Sequence, residues 1–135
     1  MHNKPFIYEP RGFTNEFEAA QKTIQNFNSV VNYDDTVYIL GDCMLSNDIK
    51  GIRCLHQLNG IKYLAYGNHD TGARIELYKN ENIFEDIQMG YRFKIDKYSF
   101  WCTHYPMKMG NYHEKHPVWN LSGHTHSKEL IDGEN

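Results

Sequence analysis

Ile61-Lys62-Tyr63-Leu64-Ala65-Tyr66-Gly67-Asn68-His69-Asp70 is the stretch on which the fold turns. Its first six residues are rich in aromatic and apolar side chains and alternate imperfectly, which predicts a buried strand. Helical periodicity resumes only after Thr71-Gly72. The tetrapeptide Gly67-Asn68-His69-Asp70 therefore lies on a strand-to-helix crossover, the edge where open α/β sheets place ligands. It sets an amide, an imidazole and a carboxylate on adjacent residues. Gly-Asn is also turn chemistry, and Asn-His-Asp can cap a helix. This stretch alone serves either reading.

The flanking segments repeat the pattern. Thr36-Val37-Tyr38-Ile39-Leu40 is a nearly continuous β-rich run, as expected of a strand covered on both faces, and it ends in Gly41-Asp42-Cys43. Ile83 to Ile95 and Tyr98 to Tyr105 read as two strands joined at Asp96-Lys97, a connection short enough for an antiparallel hairpin. The second of these runs out at His104-Tyr105-Pro106. Val118-Trp119-Asn120-Leu121 is the last strand and ends in Ser122-Gly123-His124-Thr125-His126.

Helices fill the intervals. Thr14-Asn15-Glu16-Phe17 matches a capping box with Thr14 as N-cap, and Phe17, Ala20, Ile24, Phe27 and Val31 then mark one apolar face. Ser46 to Leu58 predicts a second helix with Ile49, Ile52 and Leu55 or His56 inward, stopped by Asn59-Gly60. Ala73 to Lys79 predicts a short third helix. Residues 1–13 have no period, and Pro5, Pro10 and Gly12 mark them as loop. Met107 to Pro117 is a second loop, long enough in a small domain to be functional or mobile.

Composition narrows the classes. A chain of 135 residues with 40% apolar and 23% charged residues suits one soluble domain. The net charge of −3 gives no basic footprint for nucleic-acid binding. A phosphate substrate remains compatible, because bound metal ions supply positive charge locally. Cys43, Cys54 and Cys102 are odd in number and unpaired in spacing, which argues for a reducing, cytoplasmic setting. No apolar run reaches the ~18 residues of a membrane span. Met1-His2-Asn3-Lys4-Pro5 is not a signal peptide.

Four predicted strand ends carry polar residues of one kind: Asp42, Asn68-His69-Asp70, His104, and His124 with His126. Each follows an apolar run, so each should emerge at one rim of a sheet. Imidazole, carboxylate and amide carbonyl together suit first-row divalent metals such as Mn, Fe, Ni or Zn. No cysteine pair accompanies them, which argues against a structural zinc site. Arg11, a planar donor able to clamp a phosphate, and His113 in the second loop are candidate substrate contacts. Each reads more readily as a loop residue.

As a set, Gly41-Asp42, Gly67-Asn68-His69-Asp70, His104 and Gly123-His124-Thr125-His126 resemble the motif series of the calcineurin-like metallophosphoesterases, from about Arg11 to His126. The resemblance implies an α/β fold of two β-sheets packed face to face and flanked by helices. It implies two divalent metal ions, Mn²⁺ foremost. Asp42 would bridge them, Asn68, His104 and His124 would hold the second, and His126 the first. His69 would protonate the leaving group or steady the transition state, with Asp70 orienting it. Two metals polarise phosphoryl oxygens and lower the pKa of bound water toward ~7, and an imidazole can protonate a departing alkoxide.

The series opens with an Asp-x-His motif on its first strand, and no such motif precedes Asp42 in this chain. The expectation is a single domain over residues 1–135, truncated at one or both ends and lacking its first strand. Two functions follow. One is hydrolysis of phosphate mono- or diesters, with nucleic acid only one of several possible substrates. The other is a catalytically impaired scaffold that acts as a binding module. Sheet edges left unpaired invite self-association, so a homo-oligomer is expected to be accessible.

Overall fold

β-branched and aromatic residues build the two strands that carry the first crossovers. β1 (Thr36–Ile39) and β2 (Ile61–Ala65) run parallel, Thr36 facing Ile61 and Ile39 facing Leu64. The computed structural model describes residues 5–45, 48–108 and 118–125, without the side chains of Phe6, Ile7 and Arg11. β3 (Asp86–Gln88) adds parallel to β2, giving a first sheet of order β1-β2-β3. β4 (Gly90–Ile95), β5 (Tyr98–Thr103) and β6 (Val118–Ser122) form a second sheet in that order. β4 and β5 are antiparallel, whereas β5 and β6 are parallel.

The β-rich run from Ile83 to Ile95 predicts one strand. The chain instead leaves the first sheet after Gln88 and enters the second at Gly90. A side chain at 90 would press on the Cys102 carbonyl and on Thr103, both at 2.9 Å, so this corner requires glycine. One strand-like segment thereby serves two sheets.

Rings join the sheets. Tyr38 of β1 stacks on Phe93 of β4 at 4.8 Å, and Tyr63 of β2 meets Tyr91 of β4 edge-on at 5.7 Å. Such pairs add about 0.5–1.5 kcal/mol each beyond the area they bury. The other face of the first sheet carries the larger core: Met44, Leu64 and Tyr78 are fully buried among Ile24, Ile52, Leu55, Leu58 and Ile83.

The helices follow the sequence with local corrections. α1 (Pro5–Tyr8) and a 3₁₀ turn over Glu9–Arg11 occupy part of the expected first loop. Gly12, at φ 80°, ends the turn. α2 (Glu16–Asn28) is capped by Asn15 rather than Thr14: Asn15 Oδ1 accepts from Glu18 N at 2.9 Å. Thr14 donates its N–H and hydroxyl to the Glu18 carboxylate at 3.0 and 2.6 Å, so Glu18 returns its bond to the residue before the N-cap rather than to the cap itself. Ile24 is buried, but Phe17 is 71% exposed. In α3 (Asp48–His56), Ile52 and Leu55 point inward as expected, whereas Ile49 is 71% exposed. α4 (Gly72–Asn80) completes the set, and no helix among the described residues is long and apolar enough to cross a membrane.

Gly51 sits inside α3, where alanine normally stabilises by about 0.5–1 kcal/mol. A Cβ there would overlap the fully buried Met44 side chain, 2.5 Å from its Cγ. The sign should therefore reverse. Gly51→Ala is expected to cost about 1–3 kcal/mol through overpacking, read as a lower midpoint in urea denaturation; a raised midpoint would show that Met44 moves aside freely.

Candidate metal centre

The rim is built by close backbone approach. Gly41 lies at φ 81°, and a Cβ there would meet His104 Nδ1 at 2.5 Å and Gly67 N at 2.7 Å. A Cβ at Gly67 would overlap Asp42 Oδ1 and stand 2.7 Å from His104 Cε1. Glycine at both positions lets two crossover loops and the end of β5 come together. Asp42 and His124 are left-handed without being glycine, at φ 54° and 65°. Such conformations cost energy and persist where surrounding contacts over-determine them.

For Asp42 those contacts come from Asp70. The Asp70 carboxylate is buried and accepts from Asp42 N at 2.7 Å, Gly67 N at 2.9 Å, Cys43 N at 3.2 Å and the Tyr78 hydroxyl at 2.9 Å. A carboxylate offers about four acceptor sites, so this one is fully used. The expected role of Asp70 was to orient His69. In the structure its oxygens hold the two loops, and the His69 ring is not among their partners. Burial, and then the nearby Cys43 and Asp70, raise the Tyr78 phenol well above its usual range, so it remains a donor. Burial, and then Asp70, likewise push the Cys43 thiol up. Cys43 adjoins Asp42 but is held as an unreactive thiol.

Asp42, His104 and His124 offer one donor atom each, and these atoms lie within 4.8 Å of one another. His104 Nε2 stands 3.3 Å from Asp42 Oδ2, 3.1 Å from Asn68 Oδ1 and 3.1 Å from His124 Nδ1. A cavity of about 310 Å³ opens over Gly41, Asp42, His104, Gly123 and His124. Thus four of the five expected ligands converge. The fifth, His126, lies outside the described residues, as do His113 and most of the Met107–Pro117 loop; so does the Arg11 side chain. His69 is exposed beside the site, its N–H donated to Asp42 Oδ1 at 2.8 Å.

Hydrogen bonding sets the His104 tautomer. His104 Nδ1 lies 2.8 Å from the Leu40 carbonyl, which only accepts, so Nδ1 carries the proton. In the neutral ring, Nε2 is then a bare lone pair. It faces an amide oxygen, a carboxylate oxygen and a second imidazole nitrogen. The two oxygens are acceptors facing a lone pair, an arrangement that a proton or a metal ion between them relieves, whereas His124 Nδ1 is a donor or an acceptor according to its tautomer. A ring N–H donated to a backbone carbonyl is also the usual orienting contact of a metal-ligating histidine.

Sequence reasoning missed three participants: Tyr78, Arg74 and the Leu40 carbonyl. Tyr78 and Arg74 lie on α4, eight and four residues beyond Asp70, so their helical spacing is a signal for packing against the loop and no more. A carbonyl carries no sequence signal.

No protein-family profile matches the chain. The uncharacterized protein MJ1445 of Methanocaldococcus jannaschii is 32% identical over 134 residues, covering 96% of this chain. The chain spans 65% of that relative's length. Among solved structures, the protein of unknown function AQ665 from Aquifex aeolicus is similar at TM-score 0.55 and 29% identity, over 69% of this chain and 50% of that one. Neither name states an activity, and both proteins extend beyond what this chain matches.

If Asp70 is the clasp of the two loops, its amide isostere should be worse than loss of the Tyr78 hydroxyl. Asp70→Asn turns one acceptor into a donor facing backbone N–H groups and is expected to cost about 3 kcal/mol, against about 1 kcal/mol for Tyr78→Phe. Urea denaturation of the two variants gives the ranking, and equal costs would remove the clasp.

Proposed function

We propose that the protein is a metal-dependent phosphoesterase of the calcineurin-like kind, hydrolysing phosphate mono- or diesters. The observation that carries this reading is the convergence of Asp42 Oδ2, Asn68 Oδ1 and His124 Nδ1 on His104 Nε2. These side chains come from four separate strand ends, and chance does not favour four ligand-type residues meeting there. The donor set of two imidazoles, a carboxylate and an amide oxygen suits Mn²⁺ and its first-row neighbours. When bound, such an ion supplies Lewis acidity toward phosphoryl oxygens and a lowered water pKa.

The residues around it have separable tasks. Asp42, Asn68, His104 and His124 hold the ion. His69, whose backbone N–H is held by Asp42, would deliver a proton to a leaving alkoxide, a task suited to imidazole near neutral pH. Asp70 fixes the loops that carry Asp42 and His69. A second ion would draw on Asp42 and His126.

The finer fold reading belongs to the same proposal: a face-to-face sandwich with room for one more strand beside β1. Trp119 and Leu121 are in register with Phe100 and Cys102, on the face that meets the first sheet, yet they are 55% and 42% exposed. β1 is the edge of the opposing sheet, and a cleft of about 620 Å³ lined by Phe13, Phe27, Ile39 and Leu55 runs beside it. A strand there would cover both.

The binding-module reading draws on one observation. Among the described residues there is one group of metal-type ligands, and it offers Asp42 alone to a second ion. The two readings separate experimentally. With Mn²⁺ the protein is expected to hydrolyse bis-p-nitrophenyl phosphate. His69→Ala should lower kcat by about 10²–10⁴ with Mn²⁺ affinity unchanged, whereas His104→Ala should abolish Mn²⁺ binding in calorimetry. Mn²⁺ bound by wild type without turnover of mono- or diesters would favour the module. Undiminished binding by His104→Ala would reject the centre itself.

A further inference from the structure

Arg74 is the third residue of α4, and its side chain is only 13% exposed. Its Nη1 donates to two backbone carbonyls, Met44 O and His69 O, each at 2.8 Å. Its Nε donates to Asp48 Oδ1 at 2.9 Å. One guanidinium thus ties the loop after β1, the start of α3 and the loop after β2. Lysine cannot reproduce this, because its ammonium is a point donor without a planar fork.

The contact to His69 leads to the site. His69 is held on both sides: its carbonyl by Arg74, and its N–H by Asp42 Oδ1 at 2.8 Å. The Asp42 N–H is fixed separately by Asp70. What sets the rotation of the Asp42 carboxylate is therefore the His69 N–H on Oδ1, which leaves Oδ2 turned toward His104 at 3.3 Å. Asp48 neutralises the guanidinium, so the geometric effect of Arg74 is separable from its charge.

We propose that Arg74 is a positioning residue of the metal centre, acting through the His69 backbone to aim Asp42 Oδ2 at the shared ligand position. This inference rests on the metal-centre reading above. The two ways Arg74 could act on a nearby cation have opposite signs. Removal of a positive charge tightens cation binding, whereas loss of carboxylate aim weakens it. Outer contacts of this type typically change metal affinity by about 10–100-fold.

The test is isothermal calorimetry of Mn²⁺ binding to the metal-free protein, with melting of each metal-free variant followed in parallel. Arg74→Ala is expected to raise the Mn²⁺ Kd about tenfold in protein that still melts cooperatively. Arg74→Lys should fall between it and wild type, and it carries the test if the alanine variant does not fold. An unchanged or lower Kd in a folded Arg74 variant, with His104→Ala still abolishing binding, overturns the role of Arg74 and leaves the centre standing. Wild type that binds no Mn²⁺ overturns the centre and this inference together.

Discussion

The rim of the first sheet is held by one buried carboxylate. Two crossover loops, after β1 and after β2, present backbone N–H groups to the same point, and left alone these would be buried donors without partners. Asp70 accepts from Asp42, Cys43 and Gly67, and the protonated Tyr78 takes the remaining site. Unmet, each such donor would cost about 1–3 kcal/mol. Met together by a charge, they fix the distance between the loops and keep Asp42 in a left-handed conformation it would not otherwise favour. Gly41 and Gly67 make the approach sterically possible, and Asp70 makes it stable.

Once the loops are fixed, the chemistry of the rim follows from which atoms face each other. His104 arrives from the second sheet, is buried, and has its tautomer set by the Leu40 carbonyl. Its remaining nitrogen faces two oxygens, Asn68 Oδ1 and Asp42 Oδ2, and the His124 ring nitrogen. A purely structural core would place a donor there, as the protein does at Asp70. The contrast between these two neighbouring clusters, one with every acceptor matched to a donor and the other with two oxygens turned on an imidazole lone pair, is what supports reading the first as a clasp and proposing the second as a ligand site.

Much of this was legible in the residues. Apolar runs ending in Asp42, Asn68, His104 and His124 placed four side chains at strand ends, and strand ends of one sheet or of two packed sheets share a rim. What escaped has a common cause. Thr14 and Asn15 are both good caps, and only the position of Glu18 decides between them. Phe17 and Ile49 keep helical spacing but lie past the margin of the buried face. The run from Ile83 to Ile95 is β-rich throughout, so the change of sheet is visible only as Gly90. The sequence pairs Asp70 with its neighbour His69, whereas its oxygens point at N–H groups up to 28 residues away. Backbone donors are invisible to any reading of side chains, and both Asp70 and Arg74 act on backbone groups.

We propose that a divalent ion sits among the ligand atoms gathered at His104. Anomalous diffraction from crystals grown with Mn²⁺, collected on either side of the manganese absorption edge, addresses it directly. The expected result is an anomalous peak bonded to His104 Nε2, Asp42 Oδ2, Asn68 Oδ1 and His124 Nδ1. A well-ordered rim with no peak at that position, and a proton of His104 donated to Asp42 or Asn68 in its place, would contradict it.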